Sequence, residues 1–150
     1  MIEPVYSHSD NAPLARSPFG GGIVIHATGA QTSGAFGIWE TLVAPGKGPA
    51  PHTHTHETEI FRVIEGSFHV RCGAQEFEAP VGSVLVLPPK IEHAWYNTGT
   101  TMARMMGVVT PGGFEQMFVE IAALASPTPA SIAAIESRYG IRNEETEKLG

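Results

Sequence analysis

Apolar and polar positions alternate in short runs through the first two thirds of the chain. A period of two is typical of β-strands with one buried face. The predicted strands cover residues 23–27, 35–43, 59–65, 67–72, 75–79, 83–87, 93–97 and 103–110. Turn signals rich in Gly and Pro separate them, and the proline-dense segment 44–51 must be a loop, because it cannot continue a strand ladder. Short strands at this spacing predict an all-β sandwich or barrel.

The apolar period lengthens to that of a helix after Gly113. The first helical stripe consists of Phe114, Met117, Phe118, Ile121 and Leu124. A second helix is predicted from Pro129 to Tyr139, with Thr128 as its N-cap and Gly140 just past its end. Its apolar stripe is Ile132, Ile135 and Tyr139. We interpret residues 143–150 as a polar, frayed tail.

A chain of 150 residues corresponds to one domain by size. Within it we expect an N-terminal arm at 1–22 that ends in a short strand, a barrel at 23–112, and a helical extension at 113–150 that packs on the barrel. The arm lacks the periodicity to build its own core, so we expect it to pack across a two-fold interface in a homodimer.

The net charge of −6 argues against a nucleic-acid surface, which needs clustered Lys and Arg. No apolar run has the length of a membrane span or of a signal peptide, so we expect a cytoplasmic protein without membrane contact. Cys72 is the only cysteine, which excludes an intramolecular disulfide and a thiolate zinc site.

Four residues could hold one metal ion. His52 and His54 are two positions apart, so an extended segment directs both imidazoles to the same side. Glu59 shares a strand face with apolar residues, and His93 begins a later strand. A barrel interior can bring these four together, and they suit a divalent ion of iron, manganese, nickel, cobalt, copper or zinc. Any one of them alone could equally be a hydrogen-bonded core residue, and His-Thr-His-Thr-His could be a solvated loop.

The arrangement of these residues resembles the two motifs of the cupin superfamily. Gly46, His52, His54, Glu59 and Gly66 occupy every fixed position of the first motif. Gly82, Pro88, His93 and Asn97 satisfy most of the second, with fifteen residues between the motifs. The second motif usually has Gly where this chain has Lys90; a turn with positive φ there would cost roughly 1 kcal/mol.

The resemblance implies a small, single-domain cupin of the cupin 2 type. Its fold would be the double-stranded β-helix, or jelly roll, with one or two C-terminal helices. The metal ligands would be His52, His54, Glu59 and His93, while His56 falls outside the motif and is interpreted as a supporting or solvent-exposed residue. Segments 27–36, 93–99 and 109–115 are also similar to quercetinase-like cupins.

This narrower resemblance implies a dioxygenase that acts on an enolic or phenolic small molecule. Glu59 would be the catalytic base, its pKa raised by the apolar wall around it. We predict a substrate pocket formed by Trp39, Phe61, Trp95 and Met106. The alternatives are a non-oxidative metal cupin, such as an isomerase or lyase, and a module that binds or senses a small molecule.

Overall fold

The structure is a computed structural model and describes residues 2–11, 14–17 and 19–150. These residues form eleven strands and three short helices. The strands are β1 (Leu14–Arg16), β2 (Gly20–Ala27), β3 (Gly37–Val43), β4 (His52–His54), β5 (Thr58–Glu65), β6 (Ser67–Cys72), β7 (Gln75–Pro80), β8 (Val84–Leu87), β9 (His93–Asn97), β10 (Ala103–Thr110) and β11 (Ile141–Asn143). The helices are α1 (Gln116–Ala122), α2 (Pro129–Arg138) and α3 (Glu144–Glu147).

The strands build two antiparallel sheets. One has the order β1-β2-β3-β10-β5-β8, and the other has the order β11-β4-β9-β6-β7. This arrangement confirms the predicted all-β jelly roll. Alternation along the strands sets the core: Trp39, Thr41 and Val43 of β3 are buried while the residues between them are partly exposed. Phe61 of β5 and Phe68 of β6 come from opposite sheets and are both buried in the same apolar core.

The helical extension packs on the barrel through the predicted stripes. Met117, Phe118 and Ile121 of α1 are buried, and Ile135 of α2 joins the same core. Thr128 caps α2. Its side chain accepts a hydrogen bond from the Ser131 backbone N–H, and the Ser131 side chain accepts one from the Thr128 backbone N–H. None of the helices in the described residues is long and apolar enough to cross a membrane.

Both ends of the chain differ from the predictions. Residues 143–150 are not simply a frayed tail: Asn143 ends β11, which joins the second sheet beside β4, and it is the N-cap of α3. At the other end β1 pairs with β2, which begins at Gly20 rather than after residue 22. Ser7 and Ser9 of the arm contact His26 and Glu40 of the same chain. The homodimer stays a prediction.

Lys90 has the left-handed conformation that the motif comparison predicted for it, with φ of 64°. Its backbone N–H donates to the carbonyl of His54 at 2.8 Å, so this turn is joined to β4. A residue with a Cβ is strained in that region of φ, and glycine is not.

We therefore expect Lys90→Gly to raise the free energy of unfolding by about 0.5–1 kcal/mol, the strain relieved less the backbone entropy that glycine adds to the unfolded chain. Chemical denaturation measures this difference. Lys90→Ala is the matched control, because it removes the same charge and keeps the Cβ. An equal gain in both variants would contradict the backbone explanation.

Candidate metal centre

Four side chains converge between the two sheets. His52 and His54 come from β4, His93 from β9, and Glu59 from β5 in the facing sheet. Each offers one ligand atom, and these atoms all lie within 4.8 Å of one another. His54, Glu59 and His93 are buried, and His52 is partly exposed. The structure thus groups the four residues that the sequence predicted as metal ligands.

Strand β4 is held in place from both sides. His52 is the direct partner of His93 across the β4–β9 pair. On the opposite edge His54 pairs with Ile141 of β11. Thr55, which follows the strand, donates both its backbone N–H and its hydroxyl to the Gly140 carbonyl. These contacts fix a segment of only three residues, so the two imidazoles are presented by a rigid strand.

Backbone carbonyls orient two of the three imidazoles. The Nδ1 atom of His52 lies 2.8 Å from the Ala50 carbonyl, and Nδ1 of His93 lies 3.1 Å from the Ile91 carbonyl. A ring whose Nδ1–H donates to a carbonyl has Nε2 free as a lone-pair donor, which is the usual state of a metal-binding histidine. Both rings therefore offer Nε2 to the cluster.

His54 is fully buried, and neither of its ring nitrogens has a hydrogen-bond partner among the described residues. Its Nε2 lies 3.2 Å from Glu59 Oε2 without hydrogen-bond geometry, and its Nδ1 lies 3.8 Å from Glu57 Oε2. A buried polar atom without a partner is costly, and an ion at the centre of the cluster would satisfy Nε2. The carboxylate of Glu57, at that distance from Nδ1, lies on the side of the ring where metal-binding imidazoles commonly have an outer partner. The residues present thus fit a divalent ion.

Electrostatics in the cluster correct one prediction. Burial pushes the pKa of Glu59 upward, but the charge of His54 and the contacts to His54 and His93 outweigh it, so the pKa is lowered. Its Oε2 lies 3.1 Å from His93 Nε2. The expectation of a raised pKa is wrong, because it considered only the apolar neighbours of Glu59 on its own strand. A carboxylate that stays ionised is a good ligand and a weaker base.

The imidazoles differ in their affinity for protons. Burial, opposed by the charge of Glu59, lowers the pKa of His52 to about 4, so this ring is neutral at neutral pH. For His54, burial lowers the pKa but the charges of Glu59 and Glu57 outweigh it, and the pKa is raised. A ligand imidazole must be neutral, and the directions of the two pKa shifts mean that His54 holds a proton more tightly than His52 does.

A cavity of about 280 Å³ opens beside the cluster, with His52 and Glu59 in its wall. Three predicted pocket residues, Trp39, Phe61 and Trp95, line it together with Phe114 and Phe118 of the extension. Trp39 stands edge-on to Phe61, with ring centroids 6.0 Å apart. The indole of Trp39 lies over Gly107, where a Cβ would come within 2.5 Å of the ring. Glycine at that position therefore leaves room for the indole.

Met106, the fourth predicted pocket residue, does not line this cavity. It lies on the outer face of β10 in a groove with the N-terminal arm, because its neighbours Met105 and Gly107 face inward. The prediction for Met106 is wrong, because successive residues of a strand face opposite sides and only the neighbours of Met106 face the barrel interior.

The other histidines lie outside the cluster. His56 is exposed, as expected. His26 lies 2.8 Å from the Ser7 hydroxyl, and His69 lies 2.6 Å from a carboxylate oxygen of Glu78. The sequence did not reveal these partners, because Ser7 comes from the N-terminal arm and Glu78 from the neighbouring strand β7. The sequence also did not reveal the positions of Glu57 or of the Ala50 and Ile91 carbonyls beside the imidazoles. Strand β11 was not predicted either, and its only signal in the sequence was Gly140 before an apolar residue.

The geometry agrees with what comparisons with known proteins show. Residues 39–109 match the family model described as the Cupin domain. Residues 39–109 of the barrel thus resemble a cupin domain. The chain is 30% identical over 88 residues to quercetin 2,3-dioxygenase of Bacillus subtilis strain 168, covering 59% of this chain and 26% of that protein. It is 29% identical over 80 residues to polyketide synthase CurC of Streptomyces cyaneus, covering 53% and 51%.

The chain therefore spans about a quarter of the first relative and about half of the second. Among solved structures, KdgF from Halomonas sp. superimposes with a TM-score of 0.65 at 16% identity, covering 73% of this chain and 96% of that one. This likeness shows the fold.

The metal centre makes a direct prediction. After loading and dialysis we expect about one divalent ion per chain, and we expect His54→Gln to retain less than about a tenth of it, because it removes a central nitrogen donor. His56→Gln, from the same segment but exposed, should retain the full amount. Mass spectrometry of the bound metals gives both values. Equal metal content in the two variants would contradict the assignment of His54.

Proposed function

We propose that this cupin is a quercetinase-like dioxygenase that acts on an enolic or phenolic small molecule at a metal ion held by His52, His54, Glu59 and His93. The observation that carries the proposal is the joining of this cluster to an apolar cavity with aromatic walls. The sequence similarity to a quercetin dioxygenase supports the same substrate class.

Different residues of the chain would have different roles in the proposed reaction. A divalent ion held there would act as a Lewis acid on an enol oxygen and, if redox-active, would carry electrons between substrate and dioxygen. The aromatic walls formed by Trp39, Phe61 and Trp95 would bind a flat ring and exclude water. The carboxylate of Glu59, a residue that lines the cavity, would accept the enol proton. Its lowered pKa restricts this role to acidic enols and phenols.

A non-oxidative metal cupin is the second candidate, and two observations favour it. The lowered pKa of Glu59 suits a permanent ligand better than a proton acceptor. The other is the similarity to polyketide synthase CurC, whose name is not that of an oxygenase. Such an enzyme would form product at the same rate under argon and would consume no oxygen. A binding module would form no product in either atmosphere.

Glu59→Gln tests whether this carboxylate is the proton acceptor of the dioxygenase. For the dioxygenase, oxygen uptake with a flavonol should fall by roughly 10²–10⁴, since the amide cannot accept a proton, while metal content should fall much less. Glu136→Gln is the comparison, because Glu136 lines the same cavity but bonds to Asn143 instead of the imidazoles. We expect its oxygen uptake to stay within about tenfold of the unaltered protein. Unchanged uptake in metal-replete Glu59→Gln would refute the role of Glu59.

A further inference from the structure

The cavity contains a polar group that the cluster does not explain. Thr41 of β3 is only 2% exposed and lines the cavity, yet its hydroxyl has no hydrogen-bond partner in the part of the chain that the structure describes. A buried hydroxyl without a partner costs stability, and valine would fill the same volume without that cost. The hydroxyl therefore suits a partner that the protein itself does not supply.

The strand register places Thr41 far from the metal ligands. Met105 of β10 pairs with Thr41 on one side and with Val63 of β5 on the other. Val63 lies four residues beyond Glu59, which corresponds to about 13 Å along the strand. The cavity thus reaches from a charged end at Glu59 to a single hydroxyl at Thr41.

Aromatic side chains line the part of the cavity between Glu59 and Thr41. The row between these two positions contains Phe61, Gly107 and Trp39, which pair across β5, β10 and β3. The indole of Trp39 lies over Gly107 and stands edge-on to Phe61, so this part of the cavity wall is aromatic. With a volume of about 280 Å³, the cavity is close to the lower end of the size range of small-molecule sites.

We propose that Thr41 binds a second oxygen of the substrate, at the end of a flat aromatic molecule opposite to the enol that faces Glu59. The ligand class is an elongated phenol of two or three rings with oxygen functions at both ends. The orientation of the ligand rests on the proposed function, whereas the contact to Thr41 does not require turnover.

Two flavonols test the contact. Quercetin and 3-hydroxyflavone share the enol and the neighbouring carbonyl, but only quercetin has hydroxyls on its outer rings. The chain's two tryptophans, Trp39 and Trp95, both line the cavity, so quenching of their fluorescence reports binding directly. The variants are Thr41→Val, which removes the hydroxyl at constant volume, and Thr41→Ser, which keeps it.

We expect Thr41→Val to weaken quercetin binding about tenfold, the usual effect of losing one buried hydrogen bond. Binding of 3-hydroxyflavone should stay within about twofold, and Thr41→Ser should bind both flavonols nearly as the unaltered protein does. Without ligand, Thr41→Val should have a Tm at or above that of the unaltered protein, because it removes an unpaired hydroxyl.

Three results would overturn the proposal. The first is equal quercetin affinity in the unaltered protein and Thr41→Val. The second is an unaltered protein that binds neither flavonol. The third is a lower Tm for ligand-free Thr41→Val, which would show that the hydroxyl is needed for folding. Oxygen uptake distinguishes this proposal from the proposed function: Thr41-dependent quercetin binding without uptake supports the contact and refutes the dioxygenase.

Discussion

The buried carboxylate of Glu59 is the constraint on which the rest of the site depends. A charge between two apolar sheets is costly unless it is paired, and its partners have to come from the facing sheet. His54 and His93 provide them, at 3.2 and 3.1 Å from the same oxygen. Three imidazoles cannot all be protonated around one carboxylate without repulsion, and the lowered pKa of His52 reflects this crowding together with burial. A divalent ion resolves both problems, since it neutralises the carboxylate and binds neutral imidazoles.

The C-terminal extension connects the metal ligands to the cavity. Strand β11 holds β4 through the pair Ile141–His54, and Ile141 also lines the cavity. Asn143, in the same strand, caps α3 and donates to Glu136 of α2 at 2.8 Å. These residues lie outside the segment that matches the cupin family, which ends at 109. The wall of the cavity therefore depends on an extension that also holds the ligand strand in position.

Much of the site could be predicted because its signals are local. The motif glycines Gly46, Gly66 and Gly82 all have positive φ, so they form the turns that set the ligand spacing without the strain that a Cβ would add. Met106 was mispredicted because its own side chain is apolar, although Arg104 and Thr110 on the same face of β10 mark that face as the outer one. Strand β11 was not predicted, because a segment of three residues with a charged residue in the middle is too short to show the alternation of a strand. The pKa of Glu59 depends on the facing sheet, which no local pattern contains.

X-ray absorption spectroscopy of the metal-loaded protein tests the central claim most directly. The account predicts a single shell of nitrogen and oxygen donors at about 2.0–2.2 Å, with the outer-shell scattering of three imidazoles and no sulfur. Scattering from fewer than three imidazoles, or a sulfur donor, would show that His52, His54, Glu59 and His93 do not together hold the ion.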